Sequence, residues 1–92
     1  MSTMQPWIKC GGVPYRQGWV EVAANIHTGH VNIEAWNVAP EVDMSNYAVT
    51  LASVPDGAVT GNVEVELTVA QAKQLVVALQ RAIAAAEHAG GA

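Results

Sequence analysis

At Thr68 the chain changes its hydrophobic period from that of a strand to that of a helix, with nothing in between. Before it, Val63, Val65 and Leu67 alternate with Glu64 and Glu66, the two-residue period of a half-buried strand. From it onward, residues 68–89 read as a helix. Thr68 followed three residues later by Gln71 is a capping-box pattern, in which each side chain satisfies a free N–H of the other. Val69, Ala72, Leu75, Val76, Leu79, Ala82, Ile83 and Ala86 then recur at three- and four-residue spacing, which aligns them on one face. Gly90 and Gly91 end the run. An amphipathic helix that follows strands needs a sheet under its apolar face, and the remaining chain reads accordingly.

Residues 19–37 form a β-hairpin in this reading. Val20, Val22, Ala24 and Ile26 alternate with Trp19, Glu21, Ala23 and Asn25, and His27-Thr28-Gly29-His30 places a glycine in a two-residue turn. Counting outward from Thr28-Gly29 sets His27 opposite His30, Ala24 opposite Ile33 and Val22 opposite Ala35. Both apolar sets then share one side of the sheet, which a one-residue slip would destroy. Residues 47–54 alternate again and are read as a third strand, with residues 62–67 as its partner across a longer loop. Residues 1–17 are either a loosely ordered segment or, through residues 7–10, an edge strand. The expected fold is a single α+β domain over residues 1–92, ββββα. An antiparallel sheet of four strands, or five with the N-terminus, occupies residues 18–67, packed by one C-terminal helix. Four strands at about 4.8 Å make a sheet roughly 15–20 Å wide. A helix about 10 Å across covers half of it, which leaves the rest to Trp7 and Ile8 or to a second copy of the chain.

Composition narrows the function. Of 92 residues, 51% are hydrophobic and only 13% charged, too few charges to clothe a monomer in the usual way. The net charge is −4, and the four permanent cations Lys9, Arg16, Lys73 and Arg81 are scattered. Nucleic-acid binding needs them clustered, so no nucleic acid is expected. Cys10 is the only cysteine, so there is no internal disulfide. The start, MSTMQPWIK, carries no basic stretch leading into an apolar one, and no apolar run reaches the ~20 residues of a membrane span. The expectation is a cytoplasmic protein without a membrane partner.

Candidate chemistry is sparse. His27 and His30 flank the turn on one face and are the candidate metal ligands, with Asn25, Asn32, Glu34 or Cys10 as further donors. Glu21, Glu34, Glu64 and Glu66 offer paired carboxylates, although alternating glutamates also describe a solvated sheet face. Cys10 has no histidine near it in sequence, and Ser45 and Ser53 sit in no nucleophile motif. No cofactor is expected, and the chain reads as a non-enzyme. Trp19 and Trp36, with Glu21 and Glu34 beside them on the face expected to meet solvent, form the candidate protein-binding patch. Ala70, Val77, Ala78 and Ala84, on the side of the helix away from its main stripe, form the candidate self-association surface of a homodimer.

The ending Leu67-Thr68-Val69-Ala70-Gln71-Ala72, followed by Leu75 and Ala78-Leu79, resembles a recurrent ending of small uncharacterised actinobacterial and actinophage proteins. In these a strand runs into an LT-x-x-QA helix start. The resemblance covers the last quarter of the chain and implies an accessory protein of such an origin. The function expected on these grounds is a self-associating protein-interaction module acting as a phage or host regulatory factor. The alternative is a small-molecule or metal-binding protein using the His27/His30 face.

Overall fold

The structure is a computed structural model that describes residues 7–47 and 54–90. It contains one open antiparallel sheet of four strands: β1 (Trp7–Cys10), β2 (Gly18–Ala24), β3 (His30–Val38) and β4 (Val59–Thr68). Their spatial order is β1-β2-β3-β4. The helix α1 (Val69–Ala89) follows immediately. The ββββα order is therefore as expected, with the N-terminal segment supplying an edge strand.

Two pairings differ from expectation. β4 pairs with β3, from His30 opposite Thr68 to Val38 opposite Val59, a partner that the alternation did not indicate. The third strand expected over residues 47–54, and with it the expected pairing to residues 62–67, falls mostly on residues 48–53, which lie outside the described residues. Alternation shows that a segment is a strand, but not which free edge it joins. The first hairpin is also offset by two residues, with Ala24 opposite Val31 and Val22 opposite Ile33. The turn does close at Thr28-Gly29, where the His30 N–H donates to the His27 carbonyl at 3.0 Å. Asn25 explains the offset. It takes a positive φ of 64°, its Oδ1 accepts the Gly29 N–H at 2.9 Å, and its own N–H donates to the His30 carbonyl at 3.0 Å. Asparagine tolerates this left-handed conformation, so Ile26 and His27 leave the ladder and join the loop. An offset of two preserves the side of every residue.

The larger correction concerns which side is covered. The core is Trp19, Val38, Met44 and Val54, with Trp7, Trp36, Val42, Tyr47 and Ala58 packed against it. It lies on the face expected to meet solvent. The connection after β3 folds back over the tryptophans and is pinned there by buried Gln17, whose Nε2 donates to the Ala39 and Val42 carbonyls at 2.8 and 2.9 Å. Lys9 Nζ adds a bond to the Tyr47 carbonyl at 3.1 Å. Within this connection Asp43 accepts from both the hydroxyl and the N–H of Ser45. These bonds hold its carboxyl below the ordinary value, so their contribution is present at neutral pH and is lost as acid protonates it.

The helix forms as expected but does not lie along the sheet. Its capping box is complete: Thr68 Oγ1 accepts the Gln71 N–H at 3.1 Å, and Gln71 Oε1 accepts the Thr68 N–H at 2.9 Å. α1 touches β4 and β3, and only Ala72 and Leu75 of the helix are half-buried. From Val76 onward it stands in solvent. Among the described residues no helix is long and apolar enough to cross a membrane.

Gly18 sets the closest approach in the sheet. A Cβ there would sit 1.8 Å from the Trp36 carbonyl oxygen, a clash with backbone that no rotamer relieves. Gly18→Ala is expected to destabilise the fold by about 3 kcal/mol or more, read as a lowered urea midpoint. Gly12→Ala, with open space around it, serves as the control.

Candidate functional site

Strand register places the expected binding patch on one face of the sheet. Trp19 stands directly opposite Trp36, and Glu21 directly opposite Glu34 in the next row. Trp7 joins them, its ring stacked on that of Trp36 with centroids 4.9 Å apart. The four patch residues are thus brought together, but Trp19 is only 1% exposed. It is the centre of the core rather than part of an exposed surface, and Trp36 is half-buried beside it. The acidic row continues to Glu64, opposite Glu34 on β4. Like charges directly across a sheet repel, and Asn62 Nδ2 moderates this by donating to Glu34 Oε2 at 3.1 Å.

At the hairpin end the two histidines part. His27 Nδ1 lies 2.6 and 2.7 Å from the two carboxylate oxygens of Glu66. His30 Nδ1 bonds back to the Thr28 carbonyl at 3.0 Å. Cys10 pairs with Gly18 at the other end of the sheet, and its thiol donates to the Ile8 carbonyl. Among the described residues no three His, Cys, Asp or Glu side chains are grouped as a metal site. His27 and His30 thus take different hydrogen-bond partners, Glu66 and the Thr28 carbonyl.

Beside His27 lies a residue expected only as a further metal donor. Asn32 is 2% exposed, and neither its Oδ1 nor its Nδ2 has a hydrogen-bond partner among the described residues. It lines a recess of about 270 Å³ together with Ile26, His27, Glu64 and Glu66. Its burial comes from the wide loop that Asn25 creates, which lays Ile26 and His27 towards β4. The sequence offers only Asn25, a residue type that tolerates positive φ, three positions before Thr28-Gly29, and nothing in it points to the burial of Asn32.

The opposite face is aliphatic. Its rows run Ile8–Val20–Ala35–Val63, Val22–Ile33–Val65 and Ala24–Val31–Leu67 across the strands. None of these side chains is charged. Ile8, Val22, Val63 and Val65 are 42–60% exposed, and among the described residues nothing covers them. At one end Gly18, Ala35 and Gly61 lack bulk, and the face sinks into a shallow trough of about 310 Å³. The helix repeats the theme, with Val76, Leu79 and Ile83 each more than half exposed. Ala70, Val77, Ala78 and Ala84 are exposed as well. At 100° per residue Ala70, Val77 and Ala84 share their side with Arg81, so the main stripe is the larger uncovered apolar surface.

Two outcomes are expected. Trp19→Ala should cost about 3–5 kcal/mol and abolish cooperative thermal unfolding, whereas a surface contact residue would leave melting unchanged. Asn32→Val should raise stability by about 1–3 kcal/mol by removing a desolvated amide. Asn32→Asp should lower it by placing a buried charge beside Glu64 and Glu66, both read by urea titration. No family model, no curated protein and no solved structure matches the chain.

Proposed function

We propose that this chain is a non-enzymatic, self-associating protein-interaction module, of the accessory or regulatory kind that its ending resembles in actinobacteria and their phages. One observation carries the reading: among the described residues, both an aliphatic sheet face and an apolar helix stripe are uncovered. The magnitude supports it. The accessible surface is 6590 Å², whereas a compact monomer of 9.6 kDa exposes about 5,100 Å². The excess, roughly 1,500 Å², exceeds the ~800 Å² that each partner buries in an ordinary stable interface. The radius of gyration, 14.9 Å, is likewise above the ~12 Å of a compact chain this long. Contiguous exposed apolar surface on a soluble chain marks an association surface.

Asn32 favours a second reading, a small polar ligand held in the recess under His27. An amide presents one acceptor and two donors, and Glu64 and Glu66 add negative charge, so the fitting ligand is a small cationic or amide-bearing molecule. Sedimentation equilibrium tests the main reading: a stable multiple of 9.6 kDa is expected at micromolar concentration. A monomer throughout the accessible range would overturn it. Native mass spectrometry with and without chelator tests the second, where a bound mass lost in Asn32→Val would favour the recess.

A further inference from the structure

We propose that two copies of the chain exchange helices, α1 of each lying along the aliphatic sheet face of the other. The proposal rests on the self-association argued above and specifies its geometry.

The chain cannot make this contact within itself. A helix that folds back over its own sheet needs a connection of several residues to reverse direction. Here Thr68 is the last residue of the β4 ladder, opposite His30, and also the N-cap of α1. Its N–H and hydroxyl are both engaged by Gln71, so the junction is held at its observed angle. The same constraint leaves the helix free to meet another molecule.

The two surfaces fit in size and chemistry. α1 has 21 residues, about 32 Å at 1.5 Å per residue. β4 has 10 residues, about 33 Å at the strand rise. The helix stripe of Val76, Leu79 and Ile83 is aliphatic; Lys73 and Arg81 lie off it by the helical count, and Glu87 falls on it only beyond Ile83, near the helix end. The strand rows of the sheet face carry no charge that such a stripe would have to desolvate, and Arg16 stands only at the trough end. The trough at Gly18, Ala35 and Gly61 lets a helix approach closely. Reciprocal exchange also closes: each copy gives one helix and receives one, a twofold assembly with neither half left open. Two such seats cover both uncovered surfaces at once, in keeping with the surface excess of each chain.

Charge substitution distinguishes this arrangement from the other dimers. Val65→Lys changes the middle of the sheet face on an edge strand. Ile83→Glu changes the helix stripe far from its own sheet. Both positions are more than half exposed in the single chain. Each variant alone should sediment as a monomer, its dimer affinity lowered by about 100-fold or more. An equimolar mixture should regain the dimer, because one seat is then wild type and the other sets the new lysine against the new glutamate. If either variant loses its fold with its partner, circular dichroism should show mixing restore fold and mass together, and Val63→Lys repeats the sheet-face arm. A dimer that survives Val65→Lys would mean helix-to-helix association, and one that survives Ile83→Glu would mean sheet-to-sheet association. Either overturns the exchange, as does a mixture that stays monomeric. A monomeric wild type would instead refute the self-association reading from which the exchange was inferred.

Discussion

The junction at Thr68 is the constraint on which the rest of the molecule depends. One residue closes the last rung of the sheet and opens the helix, and its capping bonds to Gln71 use both groups it has to offer. Capping of this kind stabilises a helix start by about 1 kcal/mol. Here it has a second effect, because it removes the flexible residues that a reversal would need. The helix continues outward from the edge strand, and the sheet loses the cover that an amphipathic helix normally provides.

With the helix withdrawn, the core has to form on the other side. The connection between β3 and β4 supplies it, folding Met44 and Val54 onto Trp19 and the end of β3 at Val38. Three tryptophans make this possible in a chain with no phenylalanine, since each buries far more area than a valine. Gln17 ties the fold-back to the start of β2 through two carbonyls, replacing ladder bonds that an irregular segment cannot make with itself. The result is a core at one end of one face. The rest of that face carries the acidic row and the Asn32 recess.

Much of this architecture was legible in the residues. The capping box, the helix length and the hairpin turn follow from local chemistry, and each is found where the pattern puts it. Even the two-residue offset at Asn25 left the faces intact, since side-chain direction repeats every second residue. What alternation does not encode is the environment of each face. It groups Trp19 with Glu21 and Val20 with Val22, and then a rule must choose which group is inside. The usual rule buries the aliphatic set, and here it chose the side that the single chain leaves open. Asn32 was hidden for a related reason: its burial depends on a loop that crosses from β2 towards β4, a long-range event without periodicity. The pairing of β4 with β3 was equally invisible, because both edges of β3 carry the same alternation.

The disagreement is itself informative when the rule is applied to an assembly rather than to a chain. Aliphatic side chains in regular alternation across four strands are costly to leave in water, roughly 25 cal/mol for each Å². A helix stripe of matching character adjoining the same sheet would double that cost. A chain whose inward-facing pattern is correct but whose inward face is uncovered has the composition of an interior divided between two molecules, as obligate interfaces resemble a core cut in half. The low charge content points the same way, since 13% charged residues would suit a surface of which a large part is not surface. In the proposed exchange, the two periods that meet at Thr68 belong to one helix-on-sheet layer, the strand half from one copy and the helix half from the other.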